Sequence, residues 1–146
     1  MRGKGDLGGA AIFGGADGMT SLLGVVVLLS RTSPSTALVA ALAGAATSGV
    51  SMAGGEWLDG GSVRRGAVMG LATLVGVVLP ALPLLVVRGS AAVVSALAVV
   101  AVAGIALTAM RRERYGWAGA AARVYGVLAL ASGLALAASA LAPGGA

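Results

Sequence analysis

Five runs of the chain are long, almost uncharged and nearly equal in length, and this spacing constrains the fold more than any other feature. The runs are residues 7–30, 32–55, 66–87, 89–110 and 124–146, each of 22 to 24 residues, and Asp17 is the one charged residue inside them. A bilayer core about 30 Å thick is crossed by roughly 20 helical residues. The pattern predicts an all-α, polytopic membrane protein with five transmembrane helices.

The predicted helices form a single transmembrane domain over residues 1–146. Their expected bounds are residues 7–30, 34–58, 65–87, 89–110 and 118–142, and Pro80 and Pro83 should bend the third helix near its outer end. Charged residues are 10% of the chain and hydrophobic residues 58%, whereas soluble domains carry about 25% charged residues. The chain therefore has too few polar side chains to cover a surface facing water.

The basic residues predict the orientation of the helices. With the N-terminus in the cytoplasm, Arg31 and Arg88 lie on the outer side, and the other eight basic residues lie on the cytoplasmic side: Arg2, Lys4, Arg64, Arg65, Arg111, Arg112, Arg114 and Arg123. This asymmetry follows the positive-inside rule. We expect a cytoplasmic N-terminus, a multi-pass location in the cell membrane (a bacterial inner membrane), and contact between the short basic loop at residues 110–117 and membrane lipid phosphates.

The composition also excludes several classes of function. Cysteine and histidine are absent, which rules out disulfides, thiol chemistry, imidazole or thiolate metal sites and Ser-His or Cys-His catalysis. The net charge of +5 is divided among short clusters, and only 3% of residues are aromatic, so nucleic acid is not an expected partner. Because no nucleophile–base pair or cofactor motif is visible, the chain is not expected to be an enzyme or to hold a cofactor.

Asp17 stands halfway along the first apolar run, about 15 Å of helix from its start. A charged Asp near the bilayer midplane costs about 2.5–3.5 kcal/mol, and such residues commonly mark an ion or proton path. No basic residue lies at the same depth of another run, which favours a mobile cation or proton as its partner. Met19 and Thr20 follow it and are candidate pathway residues. The alternative is a protonated, structural Asp hydrogen-bonded to Thr20, Ser21 or a backbone carbonyl.

A second informative stretch is SMAGGEWLD at residues 51–59. Met52 and Glu56 share one helical face, and Asp59 lies about one turn beyond Glu56. Carboxylate oxygens with a thioether suit Fe²⁺ or Mn²⁺, so these residues and Asp17 together predict a metal or proton pathway leading inward from the cytoplasm. The alternative assigns Met52 to packing, and Glu56 and Asp59 to a solvated helix end near Arg64 and Arg65.

Small residues on the first two helices are spaced for close helix packing. Gly14 and Gly18 form a GxxxG pair, and Ala45 and Gly49 belong to a small-xxx-small ridge on the second helix. The spacing predicts tight packing of helices 1 and 2, within one chain or across a dimer. A compositional bias toward Ala and Gly would explain the same residues without any packing role.

Two segments, FGGADGMTSLLGVV and SMAGGEWLDGGS, resemble the signature segments of the vacuolar iron transporter family. The resemblance implies five-helix subunits that form a homodimer with the ion path between them, and proton-coupled export of Fe²⁺ or Mn²⁺ from the cytosol. It assigns Asp17, Met52 and Glu56 to that path. Many family members carry a metal-gathering cytosolic insert between helices 2 and 3. Here only a short connection is present, so the resemblance is to a short form.

The leading hypothesis is a secondary transporter that exports a divalent metal cation by proton antiport. One alternative is a small organic-cation or drug exporter that uses Asp17 as its proton-binding acid. A second is a membrane interaction protein of the same family that carries out no transport.

Overall fold

A computed structural model describes residues 7–29 and 34–140, and every regular element within these ranges is a helix. The elements are α1 (Leu7–Leu29), α2 (Pro34–Leu58), α3 (Val63–Ala81), a 3₁₀ helix (Leu82–Leu85) and α4 (Gly89–Ala140). The prediction of an all-α fold is confirmed. Arg2, Lys4 and Arg31, and the predicted helix ends at residues 30 and 142, lie outside the described residues.

Gly116 divides α4 into two helices. Its φ of 68° and ψ of 167° lie outside the helical region, in a conformation that essentially only glycine adopts. We call the two halves α4N (residues 89–115) and α4C (residues 117–140). They fold back on each other, because the Tyr125 hydroxyl donates a hydrogen bond to the Ala101 carbonyl at 2.9 Å and Leu128 packs against Gly104.

The helical region around Gly116 is longer than the sequence predicts. The basic stretch at residues 110–117 was predicted to be a short loop, but it is helical on both sides of Gly116, so Arg111, Arg112 and Arg114 belong to the last turns of α4N. One glycine with a positive φ is enough to reverse the chain. The basic side chains are therefore held on a helix rather than on a flexible connection.

The α3 helix lies at the centre of the bundle. A Cβ atom on Gly14 of α1 would overlap the carbonyl oxygen of Met69, and a Cβ on Gly18 would overlap that of Thr73. These pairs advance together along both helices, so α1 and α3 run parallel. Helix α2 runs antiparallel to α3, because Gly49 lies opposite Gly70 and Ala53 lies opposite Gly66 (a Cβ on Gly66 would lie 2.7 Å from the Ala53 carbonyl oxygen).

The small residues of α1 and α2 make their closest backbone contacts with α3. Gly14 and Gly18 contact one side of α3, while the buried residues Ala45 and Gly49 face another. Within one chain, α1 and α2 also contact each other, since Leu22 shares a buried cluster with Ala41 and Ala45, but the closest backbone approaches of their small residues are to α3. Packing of these helices across a dimer stays a prediction.

Two prolines change the helix type at the end of α3. The α-helical hydrogen bonding ends at Ala81, one residue after Pro80, and the chain continues as a 3₁₀ helix that contains Pro83. The backbone N–H groups of Val86 and Val87 both donate to the Pro83 carbonyl, at 3.1 and 2.9 Å. The disturbance expected from the two prolines thus takes the form of a short 3₁₀ segment before α4.

The interior of the bundle is built largely from small side chains, and many large apolar side chains point outward. Buried alanines include Ala41, Ala45, Ala92, Ala96 and Ala120. Exposed large residues include Val39, Val50, Leu71, Val102 and Leu130. Small residues at helix contacts and large apolar residues outside are typical of helices packed in lipid.

Two segments of the described chain are long and apolar enough to cross a membrane, Val63–Leu85 and Gly89–Ala137. Within them, the 18-residue stretches that meet this criterion have mean hydropathies of 2.2 and 2.4, and the second segment is 49 residues long because it joins α4N and most of α4C. The fold is thus compatible with a membrane protein.

We predict that Gly18→Ala destabilises the protein by about 1–3 kcal/mol, because the added methyl group overpacks a tight contact. Its nearest neighbours would be backbone atoms, the Thr73 carbonyl and the Val77 nitrogen, so α1 and α3 would have to separate. Thermal unfolding in detergent micelles measures the change. Gly44→Ala is the matched control, since nothing lies within 4 Å of the added Cβ. Equal loss of stability in both variants would contradict the close contact.

We predict that Gly116→Ala lowers the free energy of unfolding by about 1–3 kcal/mol, because alanine is strained at this φ and ψ. The surroundings are open, so the cost comes from the backbone alone. Gly126→Ala also adds a methyl group in open space, but inside a regular helix, and should leave stability unchanged or raise it slightly. A Gly116→Ala protein as stable as Gly126→Ala would show that the sharp turn is not needed.

Candidate functional site

Asp17 lies on the face of α1 that α3 does not cover. Gly14 and Gly18 contact α3, whereas Phe13, one turn before Asp17, is 56% exposed. Asp17 itself is partly buried. The helical period thus places the carboxylate on the outward side of α1, roughly midway along the helix.

This side of α1 forms a groove with both halves of α4. The groove has a volume of about 380 Å³. Its charged and polar lining residues are Asp17, Thr20, Arg111, Tyr115 and Arg123, and the rest of the lining is apolar. The groove brings an acid from the middle of α1 together with two arginines from either side of the α4 turn.

The Asp17 carboxylate is not paired with either arginine of the groove. Within residues 7–29 and 34–140, no described basic nitrogen lies within 4 Å of it. Arg123 is held elsewhere, since its Nη1 donates to the Gly119 carbonyl at 2.9 Å and its guanidinium lies 4.1 Å from the centre of the Tyr115 ring. The carboxylate therefore keeps its oxygen lone pairs available for a cation or a proton.

Thr20 and Met19, both predicted pathway residues, lie in different surroundings. Thr20 lines the groove with Asp17, and its Oγ1 lies within hydrogen-bonding distance of the carbonyls of Ala16 (3.1 Å) and Asp17 (3.0 Å). Met19 is 4% exposed and packs in an apolar cluster with residues of α1 and α4. The groove thus contains the hydroxyl of Thr20 but not the thioether of Met19.

Glu56, predicted to stand at the mouth of the pathway, has a basic partner. Its Oε1 lies 3.0 Å from Nε of Arg65, and the Glu56 side chain is only 14% exposed. The Arg65 N–H is not aligned for a hydrogen bond, so the contact is an ion pair between close charges. Gly61 fits against the same carboxylate, where a Cβ would overlap Oε1. The short turn between α2 and α3 thereby closes over Glu56.

Asp59 and Met52 do not join Asp17 in one cluster. Asp59 is exposed at the end of α2, and Met52 is partly buried one turn before Glu56. Since Gly18 lies beside Thr73 and Glu56 beside Arg65, Asp17 and Glu56 are separated by about 12 Å along the bundle axis. In the described part of the chain, no three acidic side chains come together as a metal-binding group.

Three lining residues of the groove were not predicted as site residues: Arg111, Tyr115 and Arg123. In the sequence Arg123 contributes only to the prediction of topology, and Arg111 to that prediction and to the expected contact with lipid phosphates. Their positions relative to Gly116, five residues before it and seven after it, are the signal that could have identified them. A reversal at that glycine places the two side chains on facing helices.

No family model matches the chain, and neither a curated protein nor a solved structure shows significant similarity to it. The functional inference therefore depends on the groove and on the residues around it.

We predict a coupling free energy of about 0.5–1 kcal/mol between Glu56 and Arg65 in a double-mutant cycle with Glu56→Gln and Arg65→Gln. The range is small because the Arg65 side chain is 38% exposed and solvent screens the attraction. Unfolding in detergent supplies the four free energies. A parallel cycle with Arg64→Gln, which removes an exposed charge from the adjacent position, should show no coupling. Equal coupling in both cycles would point to general electrostatics instead of this pair.

Proposed function

We propose that the protein is a polytopic membrane transporter of five transmembrane helices that exports Fe²⁺ or Mn²⁺ from the cytosol in exchange for protons. The observation that carries this proposal is the unpaired carboxylate of Asp17, midway along an apolar helix and open to a groove. A buried acid without a fixed counter-ion is costly in a membrane. Binding of a cation or a proton removes most of that cost.

Exchange follows from competition for the same oxygen atoms. A carboxylate that binds a metal ion must be deprotonated, so a proton and a divalent cation occupy Asp17 in turn. Export then couples to protons if the metal leaves on the outer side and a proton takes its place for the return step. Thr20 Oγ1 and backbone carbonyls of the glycine-rich segment are the further oxygen donors that α1 offers near Asp17.

A homodimer would supply the additional metal ligands that one chain does not bring to Asp17. Asp17 contributes one carboxylate, whereas Mn²⁺ and Fe²⁺ favour several oxygen or nitrogen ligands. The groove opens on the outer surface of the chain, where lipid would be a poor neighbour for an acid. A second copy placed against this face would cover the groove and bring a second set of oxygen ligands to it, in agreement with the family resemblance of the two signature segments.

The charge distribution supports a cytoplasmic N-terminus and a cell-membrane location. The start of α1, the α2–α3 turn and the α4 turn share one end of the bundle. Six of the seven basic residues in the described ranges lie toward that end, and Arg88 lies at the other. The positive-inside rule assigns the basic end to the cytoplasm. Asp59 and Glu56 are then at the cytoplasmic side, where Glu56 can receive a cation only by releasing or sharing Arg65.

The second candidate is export of a small organic cation. A groove of about 380 Å³ with a mostly apolar lining and two aromatic side chains, Phe13 and Tyr115, is within the size range of ligand pockets and larger than a metal ion needs. Arg111 and Arg123 line the same groove as Asp17 and would repel an organic cation and a metal ion alike, so they do not distinguish the two candidates. The two signature segments favour the metal ion.

We predict that purified protein in proteoliposomes takes up Fe²⁺ or Mn²⁺ when a pH gradient is imposed, and that Asp17→Asn reduces uptake at least about tenfold, because the amide carries no exchangeable charge. Glu113→Gln is the matched control: it removes one exposed carboxylate outside the groove and should transport normally. Thermal unfolding of each variant verifies folding.

The possible results separate the three functions. Uptake of an organic cation dye that depends on Asp17, without metal uptake, would favour the second candidate. Absence of all proton-linked uptake by the folded wild-type protein would leave a membrane interaction protein without transport activity. Equal metal uptake by Asp17→Asn and the wild type would overturn the role of Asp17.

A further inference from the structure

The arginines at the α4 turn differ in where their side chains lie. Arg112 lies over the ring of Trp117 and Arg114 over that of Tyr115, each 5.4 Å from the ring centre, and both are exposed. Arg111 and Arg123 line the groove instead. Arg123 is also exposed and lies 4.1 Å from the centre of the Tyr115 ring. The basic cluster therefore has a pair outside the groove, Arg112 and Arg114, and a groove pair, Arg111 and Arg123, which differ in whether they line the groove and not in contact with aromatic rings.

The groove pair is suited to an anion. Arg123 has already used an Nη1 donor on the Gly119 carbonyl, but a guanidinium has five N–H donors, so others remain. Arg111 has no ion pair within the described ranges. An arginine guanidinium can donate two parallel hydrogen bonds to a phosphate. Two arginines at one end of a groove therefore form a site of complementary charge for a phosphate group.

The groove continues inward from these arginines along an apolar wall. Val124, Val127 and Leu128 of α4C and Ile12 of α1 line it. Val127 is 56% exposed, so the wall can be reached from the side. A free phosphate ion would leave this wall empty, whereas an acyl chain attached to the phosphate would cover it.

We propose that this groove binds one anionic phospholipid, with its phosphate at Arg111 and Arg123 and the first part of an acyl chain against Val124, Val127 and Leu128. Trp117 is 54% exposed on the same turn, as expected for a residue at the headgroup level. The bound phosphate, with one negative charge, would offset one of the two positive charges of Arg111 and Arg123 in the groove, which would weaken their repulsion of a cation approaching Asp17. The lipid site requires only a membrane location and does not depend on metal export, and it leaves the α1 side of the groove, with Asp17, for a second copy to cover.

The test is native mass spectrometry of the purified full chain with added phosphatidylglycerol, compared with phosphatidylcholine. Arg111→Gln with Arg123→Gln should weaken phosphatidylglycerol binding about tenfold or more, since each basic residue contributes substantially to anionic lipid binding. Arg112→Gln with Arg114→Gln is the matched control, because it removes two charges from the same turn outside the groove. We expect it to weaken binding less than about threefold. Equal weakening by both pairs would overturn the site and leave a general surface charge effect.

A second variant tests the acyl-chain part and does not alter charge. Val127→Trp fills the open wall of the groove and should reduce phosphatidylglycerol binding severalfold while both arginines remain. Thermal unfolding shows whether the double arginine variant is folded. If it is not, the Val127→Trp variant still tests the proposal. Binding unchanged in Val127→Trp, or displacement of the lipid by millimolar inorganic phosphate, would overturn the proposal in favour of a site for a phosphate group alone.

Discussion

The structure depends on the direct approach of helix backbones to α3. Where Gly14 and Gly18 meet the carbonyls of Met69 and Thr73, the added volume of one methyl group would not fit. Contacts of this kind need no large side chains, and in lipid they replace the hydrophobic effect as the cause of helix association. They explain why alanines and glycines fill much of the interior while valine and leucine side chains are left outside.

The same contacts determine where the acid points. Gly14 and Gly18 contact α3, and Met19 packs in the apolar cluster with α4. Because of the helical period, Asp17 then lies on the remaining face of α1. The fold of α4 then decides what that face meets. Because Gly116 reverses the chain, Arg111 and Arg123 come to the same groove as Asp17. One glycine with a positive φ thus places both acidic and basic side chains in the groove.

The acid in the groove and the acid at the α2–α3 turn, at the proposed cytoplasmic end, differ in whether they have a basic partner. Glu56 is satisfied by Arg65, whereas Asp17 has no such partner in the described ranges. For the proposed transport, this difference favours Asp17 as the residue that exchanges ions, with Glu56 paired to Arg65 at the cytoplasmic side. A phospholipid at Arg111 and Arg123 would add to this arrangement, because its single negative charge would offset part of the positive charge beside the proposed cation route.

The sequence by itself determined the helices, because the length of an uncharged run and the positions of Pro80 and Pro83 act locally on the backbone; the reversal at Gly116 appeared only in the structure. It also identified Asp17 as an isolated acid and the glycines as packing residues. Only the tertiary structure decided that α3 receives both small-residue ridges, that Arg65 pairs with Glu56, and that two arginines line the groove of Asp17. These outcomes depend on which helices are neighbours, and neighbours distant along the chain leave no trace in local spacing or composition.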